Sequence, residues 1–255
     1  MNTREENLQA FNRLLDIMDD LREKCPWDRK QTFQSLKNNT IEETYELADA
    51  IQNQDLDEIR KELGDLMLHL VFYSKIGSET QSFDIGDVLN GICEKLIFRH
   101  PHIYGNVHAD SEEEVKQNWE KLKLKEGRKS VLEGVPSSLP SLIKAYRIQE
   151  KVKGVGFDFE NNGQIWNKIK EEISEFENEP DTAKKEEEFG DILFSLVNFA
   201  RFNHIHPEDA LEKTNRKFIA RFQKMENLAE KSHQKLSELS LNELDELWEK
   251  AKKGE

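Results

Sequence analysis

The sequence predicts an all-α protein made of two tandem helical bundles. Glycine and proline are scarce, at 12 and 6 of 255 residues, whereas an all-β chain needs many turns. Apolar residues recur at spacings of three and four, which places them on one face of a helix. Five short fragments recur in the same order in the two halves of the chain. Such a series indicates two copies of one helical unit.

Helix signals divide the first half of the chain into consecutive segments. Apolar stripes predict helices over Leu8–Leu21, Thr32–Ile51, Leu56–Tyr73 and Ile85–Leu96. Pro26 ends the first of them, and Asp55 and Asp84 are the expected N-caps of the third and fourth. Ser111 and Glu114 form a capping box, which predicts the start of a further helix.

Turn residues separate the second half from the first. Residues 126–140 contain two glycines, two prolines and several serines, and this composition is typical of a linker. The expected domains are therefore 1–125 and 141–255. Further stripes predict helices over Leu142–Val152, Ile165–Phe176, Phe189–Phe199, Leu211–Leu228 and Leu244–Trp248. Their start signals are an N-cap at Asp181, Pro207, and a capping box of Ser240 with Glu243.

Charge and composition exclude several classes of protein. The net charge of −14 disfavours non-specific binding of nucleic acid or an anionic membrane. If the chain handles phosphates, a cation is expected between its acids and the ligand. No apolar stretch is long enough to span a membrane, and Met1–Glu6 is too charged for a signal peptide. Cys25 and Cys93 are predicted to be reduced thiols of a cytoplasmic protein.

The internal repeat preserves acidic residues in particular. Glu42–Glu46 matches Glu171–Glu175 at an offset of 129 residues, and Glu62–Asp65 matches Glu188–Asp191 at an offset of 126. The other matched fragments are Trp27-Asp28 with Phe157-Asp158, Lys95 and Arg99 with Lys217 and Arg221, and Trp119-Glu120-Lys121 with Trp248-Glu249-Lys250. The repeat therefore places one acidic pattern in each half of the chain.

These acids are predicted to form a metal site in each copy. Residues three apart share a helix face, and a short connection makes consecutive helices antiparallel neighbours. Four acids then converge in each copy: Glu43, Glu46, Glu62 and Asp65 in the first, and Glu172, Glu175, Glu188 and Asp191 in the second. Converging carboxylates need a counter-charge. Oxygen ligands without His or Cys favour Mg²⁺ over zinc.

Exposed acidic pairs are common on helices, so the surroundings of these pairs matter. Apolar residues flank the acids of the Glu62–Asp65 and Glu188–Asp191 segments. Acids that border a core are costly unless they are paired or bind metal. Gly64 and Gly190 lie within these segments, and glycine costs about 1 kcal/mol inside a helix. We therefore expect a close neighbour at both glycines.

The EExxE…ExxD pattern, present twice, with CPWD at Cys25–Asp28 and RHPHIYG at Arg99–Gly105, resembles the MazG family of nucleoside triphosphate pyrophosphohydrolases. The resemblance covers nearly the whole chain and extends to the two-copy bacterial arrangement. It implies a homodimer that cleaves the α–β phosphate bond of NTPs and dNTPs broadly, with Mg²⁺ or Mn²⁺ as cofactor. It also implies a role in house-cleaning or stress-related control of nucleotide pools.

The resemblance also assigns roles to residues of the second copy. The metal-binding and catalytic acids are Glu172, Glu175, Glu188 and Asp191. The nucleotide-contacting positions are Lys168, Glu171, Lys184, Lys185, Lys217, Arg221 and Trp248. In tandem members the second copy is the catalytic one. Trp248 either stacks on a base or packs beside Leu244 and Leu247, and both readings stay open.

The residues themselves support an asymmetry between the copies. Lys168 precedes Glu172 by one helical turn, whereas the matching position of the first copy is Asn39. Lys184 and Lys185 correspond to Glu58 and Ile59 in the first copy. The set Glu43, Glu46, Glu62 and Asp65 therefore keeps the metal ligands with an incomplete basic set.

Two other functions remain open at this point. The first is a narrower all-α pyrophosphatase, acting on dUTP or phosphoribosyl-ATP, and a panel of nucleotides would separate it from a broad enzyme. The second is a non-catalytic helical protein that binds metal or a partner. The basic residues of the second copy disfavour it, and absence of triphosphate hydrolysis would favour it.

Overall fold

The structure is a computed structural model that describes residues 1–108, 111, 114–115, 122 and 130–253. Every regular element in these residues is helical, in agreement with the predicted fold class. The chain divides into two compact units, Met1–His108 and Ala109–Glu255. The repeated fragment Trp119-Glu120-Lys121 and residues 126–129 of the predicted linker lie outside the described residues, so the domain limits stay predictions.

The N-terminal unit contains five α-helices and one 3₁₀ turn. These are α1 (Arg4–Lys24), the turn Asp28–Lys30, α2 (Phe33–Gln52), α3 (Leu56–Glu79), α4 (Ile85–Arg99) and the short α5 (Pro101–Tyr104). Capping explains where the longer helices begin. The side chains of Thr32 and Asp84 close capping boxes at α2 and α4. Asp55 accepts hydrogen bonds from the first backbone amides of α3.

The core of the N-terminal unit lies between α1, α2 and α3. Met18, Leu36, Val71, Phe72 and Ile76 form its buried cluster. The helices α2 and α3 pack as an antiparallel pair, joined by the short connection that the sequence predicts. By contrast, α4 has no buried residue. Its apolar stripe is therefore not covered within the described part of this unit.

The C-terminal unit contains five more α-helices in its described residues. The five are α6 (Ser141–Lys153), α7 (Asn162–Asn178), α8 (Thr182–Phe202), α9 (Pro207–Lys231) and α10 (Leu241–Lys252), and a 3₁₀ turn, Leu236–Glu238, lies between the last two. Asn161, Asp181 and Ser240 cap α7, α8 and α10 through their side chains. Pro207 is the first residue of α9, as the sequence predicts.

Two helix pairs make up most of the C-terminal unit. The α7–α8 pair is an antiparallel hairpin, and α6 packs against α8. Ile165, Ile169 and Val197 are buried there. The α9–α10 pair has its own apolar cluster, in which Met225 and Leu247 are buried. The acids and the basic residues singled out on α9 thus belong to different helix pairs.

Two buried cations of the C-terminal unit were not anticipated from the sequence. Lys151 is only 2% exposed, and its ammonium donates hydrogen bonds to the carbonyl oxygens of Val131 (2.9 Å) and Glu133 (3.1 Å). Arg201 is 3% exposed and makes a bidentate ion pair with Asp158. These contacts fasten the segments before α6 and α7 to the helices. None of the described helices has the length and apolar character needed to cross a membrane.

Candidate metal centres

Three carboxylates converge on the α7–α8 hairpin. Glu172 of α7 and Glu188 and Asp191 of α8 each offer an oxygen atom, and these atoms all lie within 4.8 Å of one another. We call these three residues the C-terminal cluster. The hairpin connection is short because Glu179 ends α7 and Asp181 caps α8. Antiparallel packing then brings the two acidic faces together, as the spacing predicts.

The three acids of the C-terminal cluster differ in their exposure to solvent. Glu172 is 5% exposed, Glu188 is half-buried and Asp191 is exposed. Burial raises the pKa of the Glu188 carboxyl, and the charges of Glu175, Asp191 and Glu172 raise it further. Glu175 is exposed and lies one turn beyond Glu172. Its charge acts on Glu188, although it is not one of the three most closely grouped acids.

The N-terminal unit repeats this arrangement on the α2–α3 hairpin. Glu43, Glu62 and Asp65, here called the N-terminal cluster, also offer oxygen atoms within 4.8 Å of one another. Glu62 is 9% exposed. Burial is the main cause that raises the pKa values of Glu43, Glu46 and Glu62, and the charges of neighbouring acids add to it. In the described part of the chain, Oε2 of Glu62 has no hydrogen-bond partner.

The donor chemistry of both clusters fits a hard divalent cation. All the grouped ligand atoms are carboxylate oxygens, which Mg²⁺ and Mn²⁺ accept and which zinc sites rarely use alone. A divalent cation would also offset the mutual repulsion that the raised pKa values report. The grouping therefore supports the predicted binding of a divalent cation. In each copy it contains three of the four acids that the sequence predicts.

One cation already faces the C-terminal cluster. The Lys168 ammonium lies 2.7 Å from an oxygen of Glu172 and 2.7 Å from an oxygen of Glu171. These two hydrogen bonds raise the pKa of Lys168 above its ordinary value. The one-turn spacing from Lys168 to Glu172 was visible in the sequence, but the ion pair was not. At the matching position of α2 stands the exposed Asn39, which carries no charge.

The remaining substrate-contact candidates are divided between the α7–α8 hairpin and the α9–α10 pair. Lys184 is exposed and Lys185 lies over the Phe176 ring, 4.8 Å from its centroid. Lys217 is exposed on α9. The Arg221 guanidinium lies 5.8 Å from the Trp248 ring centroid. Lys217, Arg221 and Trp248 thus occupy the α9–α10 pair, whereas Lys168 and Glu171 adjoin the acids on α7.

Trp248 packs in the apolar cluster between α9 and α10. It is half-buried, contacts the group of Met225 and Leu247, and lies 5.1 Å from Phe218 by ring centroids. The packing interpretation of Trp248 is therefore supported. Base stacking stays a prediction for the part of the ring that remains exposed.

Sequence reasoning missed a buried histidine beside the N-terminal cluster. His69 follows Asp65 by one turn of α3 and is 8% exposed. Burial lowers the pKa of its imidazole, and its Nδ1 has no hydrogen-bond partner among the described residues. Ser195 takes the matching position of the C-terminal unit, at the repeat offset of 126. Comparing the two copies in sequence would have shown that a histidine stands at this position in one copy only.

The expectation of a close neighbour at Gly64 and Gly190 was wrong. A Cβ atom added at either glycine would meet nothing within 4 Å. Both positions face open space within the described chain. Packing within the described residues does not require glycine there.

Comparison with known proteins bears out the resemblance that the motifs suggest. The sequence profile of the MazG nucleotide pyrophosphohydrolase domain matches residues 31–104. A protein of Thermotoga maritima named nucleoside triphosphate pyrophosphohydrolase/pyrophosphatase MazG is 46% identical over 250 residues, which cover 96% of each chain. The chain belongs to the MazG family. The profile match includes the N-terminal cluster, and the match to the Thermotoga maritima protein covers nearly the whole chain.

Other relatives extend the MazG comparison over the full length. The nucleoside triphosphate pyrophosphohydrolase of Escherichia coli is 39% identical over 260 residues, covering 97% of this chain and 99% of the relative. The uncharacterized protein YabN of Bacillus subtilis is 44% identical over 263 residues, covering 99% of this chain and 54% of YabN. The similarity to these relatives therefore spans both units.

Proposed function

We propose that this protein hydrolyses nucleoside triphosphates to the monophosphate and pyrophosphate, with Mg²⁺ as cofactor. The observation that carries the proposal is the grouping of Glu172, Glu188 and Asp191 within 4.8 Å in a MazG-family chain. Relatives that match nearly the whole chain carry the name nucleoside triphosphate pyrophosphohydrolase. A site made of carboxylates needs a divalent cation before it can accept a triphosphate.

The catalytic acids of this proposal are those of the C-terminal unit. Glu172, Glu188 and Asp191, with Glu175 one turn away, would hold the divalent cation. A bound divalent cation offsets charge on phosphate oxygens and lowers the pKa of a coordinated water. Glu172 and Glu175 are the candidates to orient or deprotonate the attacking water.

The reaction breaks the bond between the α-phosphorus and the oxygen that bridges it to the β-phosphorus. A water oxygen bonds to the α-phosphorus, its proton passes to a carboxylate, and pyrophosphate leaves. Lys168, Lys217 and Arg221 would neutralise charge that builds on the leaving pyrophosphate. The other proposed substrate contacts are Glu171, Lys184, Lys185 and Trp248.

We assign catalysis to the C-terminal unit because of its basic residues. Lys168 contacts the cluster acid Glu172 directly and can serve a phosphate from the same helix face. The N-terminal cluster has Asn39 at that position, and Glu58 and Ile59 where α8 has Lys184 and Lys185. Its acids would bind a cation, but only part of the basic set that would bind the triphosphate, Lys95 and Arg99, is present there.

The working form is proposed to be a homodimer. The helix α8 exposes Phe189, Leu193 and Leu196 at 50%, 41% and 42%. At the repeat offset of 126, α3 exposes Leu63, Met67 and Leu70 at 52%, 41% and 51%. Two matching apolar stripes beside the acids indicate surfaces that a second copy covers.

Light scattering in solution tests the homodimer. The expected mass is twice the 29.9 kDa of one chain. Leu193→Glu, which places a charge in the α8 stripe, should shift the equilibrium toward the monomer. Leu241→Glu is the control, because Leu241 is 74% exposed at the start of α10, which carries neither stripe. A monomer in the wild type at all concentrations would contradict the homodimer.

The proposed cellular role is house-cleaning of nucleotide pools in the cytoplasm. Cys25 and Cys93 are free thiols, which fits a reducing compartment. The net charge of −14 disfavours nucleic acid and anionic membranes as partners. A site whose specific contacts are phosphate-directed cations reads all bases alike, so broad use of NTPs and dNTPs is expected.

A panel of NTPs and dNTPs, assayed for pyrophosphate and for phosphate, tests the proposed reaction. We expect one pyrophosphate per nucleotide, similar rates for several bases, and loss of activity when EDTA removes the divalent cation. Activity confined to dUTP would indicate the narrower enzyme instead. Release of phosphate in place of pyrophosphate would contradict cleavage at the α–β bond.

A further inference from the structure

The two acidic clusters differ in the charge of one neighbouring side chain. This side chain lies one helical turn before Glu172 in α7 and before Glu43 in α2. In the C-terminal cluster, the Lys168 ammonium is 2.7 Å from an oxygen of Glu172 and also contacts Glu171. In the N-terminal cluster, Asn39 occupies the matching position before Glu43. The same ligand set therefore meets an internal cation in one copy and a neutral amide in the other.

The Lys168 contact uses a ligand that the metal needs. The side chain of Glu172 is 7% exposed, and the Lys168 ammonium lies 2.7 Å from its carboxylate. The side chain of Lys168 itself is 39% exposed, and its flexible stem allows the ammonium to move. A divalent cation at Glu172 would repel an ammonium that stays 2.7 Å from that carboxylate. Lys168 then keeps Glu171 as its partner, and the triphosphate supplies an anion in place of Glu172.

The N-terminal cluster has the opposite character. Glu62 is 9% exposed, and its Oε2 has no hydrogen-bond partner in the described residues. Lys61, the basic side chain beside it in sequence, is paired with Glu58 instead. A buried carboxylate oxygen without a partner is costly, and a cation removes that cost. No ammonium has to be displaced before such a cation binds.

We propose that the N-terminal cluster binds a divalent cation by itself, whereas the C-terminal cluster binds its cation together with the triphosphate, because Lys168 exchanges Glu172 for a phosphate. This inference rests on the proposed function for the identity of the phosphate ligand. Lys168 thereby couples the two binding events at the C-terminal cluster. The N-terminal cluster holds a cation that stabilises its own hairpin.

Titration of the full chain with Mn²⁺, followed by the electron paramagnetic resonance signal of free Mn²⁺, tests the proposal. Without nucleotide, we expect one class of tight sites, which Glu43→Gln with Asp65→Asn removes and Glu172→Gln with Asp191→Asn leaves. Adding an α,β-methylene triphosphate, which resists cleavage at that bond, should create a second class. The second class should disappear in the Glu172→Gln, Asp191→Asn variant.

Exchange of the two distinguishing residues sharpens the experiment. Lys168→Asn should tighten Mn²⁺ binding at the C-terminal cluster without nucleotide by roughly tenfold, the scale of one unit charge removed near a partly exposed ion. Asn39→Lys should weaken the N-terminal cluster by a similar factor. Lys170→Asn and Asn38→Lys are the matched controls, since they make the same charge changes at nearby exposed positions. Both controls should leave Mn²⁺ affinity almost unchanged.

Two results would overturn the proposal. One is equal Mn²⁺ affinity of the two clusters in the wild type without nucleotide. The other is unchanged affinity in Lys168→Asn, provided that circular dichroism shows a folded chain. Neither depends on turnover: hydrolysis with equal affinities would retain the proposed function and reject the exchange. The expected Mn²⁺ pattern without hydrolysis would retain the exchange and reject the proposed function.

Discussion

The α2–α3 and α7–α8 hairpins show how one acidic pattern acquires two electrostatic settings. Both bring three carboxylate oxygens within 4.8 Å. In the first hairpin the pKa values of Glu43, Glu46 and Glu62 are all raised. In the second, Lys168 contacts Glu172, and Glu188 is the acid whose pKa is raised. The two hairpins therefore present the same ligand types with a lysine beside one cluster and Asn39 at the matching position of the other.

This difference teaches that ligand identity alone does not define a site. A cluster without an internal cation is suited to hold a metal permanently, since nothing else balances its charge. A cluster with a mobile ammonium is suited to exchange, since charge balance can be restored after a phosphate leaves. On the proposed assignment, changes at the positions of Lys168, Lys184 and Lys185 separate a catalytic site from a stabilising one.

The largest expected effect comes from removing acids in each hairpin separately. Glu172→Gln with Asp191→Asn should lower the rate of pyrophosphate release by at least about 100-fold, because the metal ligands are lost. Glu43→Gln with Asp65→Asn should leave most of the activity. Far-UV circular dichroism of both variants serves as the folding control. Comparable losses in the two variants would break the assignment of catalysis to the C-terminal unit.

The next largest effect is the loss of stability when the ion-paired arginine of each unit is replaced. Arg201→Met should destabilise the C-terminal unit by about 2 kcal/mol, because Asp158, whose side chain is 18% exposed, loses its charged hydrogen-bond partner. Arg22 of the N-terminal unit pairs with the more exposed Glu79, so Arg22→Met should cost less. Urea denaturation measures both. A larger loss in Arg22→Met would reverse this comparison.

The pH dependence of the metal-free protein should also differ between the hairpins. A carboxyl with a raised pKa binds its proton more tightly in the folded state than in the unfolded state. Its stabilisation is thus present below the ordinary value of 4.5 and is lost as pH rises through the raised pKa. In EDTA, Glu62→Gln should therefore raise the thermal midpoint at neutral pH more than at about pH 4.

The exposed neighbour substitution Glu42→Gln is the control for this measurement. It should change the midpoint little at either pH, because Glu42 is outside the N-terminal cluster. Adding a divalent cation to the wild type should reduce the advantage of Glu62→Gln. An equal gain at both pH values would show that charge at Glu62 is not the cause.

The smallest expected effect is at the helix glycines. Gly190→Ala and Gly64→Ala should each stabilise the protein by about 0.5–1 kcal/mol, since alanine favours the helix and the space is open. Gly77→Ala is the contrasting control, because its Cβ would lie 2.8 Å from Phe83. Urea midpoints separate the two outcomes. Destabilisation at Gly190 would indicate that a second copy fills this space.

Much of the fold was predictable because its signals are local. The N-caps Asp55, Asp84 and Asp181 begin α3, α4 and α8 where the sequence places them. Capping bonds and apolar spacing involve residues three or four apart, so they are readable without the rest of the chain. The start of α9 at Pro207 has the same kind of local cause.

The long-range contacts were not predictable from the same signals. Lys151 looks like any surface lysine in the sequence, yet it is 2% exposed and bonded to the carbonyl of Val131. Arg201 lies 43 positions from its partner Asp158. Such pairs depend on how segments far apart along the chain pack. Neither helical spacing nor composition reports that packing.

The sequence by itself determined the helical class and the duplication, and its eight candidate acids include the six that the structure groups. These follow from periodicity, capping and the repeat, which are properties of the linear chain. Only the tertiary structure decided which three oxygens group in each hairpin, that Glu62 and Glu172 are buried, and that Lys168 pairs with Glu172. Burial and ion pairing depend on helix packing, because water is excluded only where two surfaces meet.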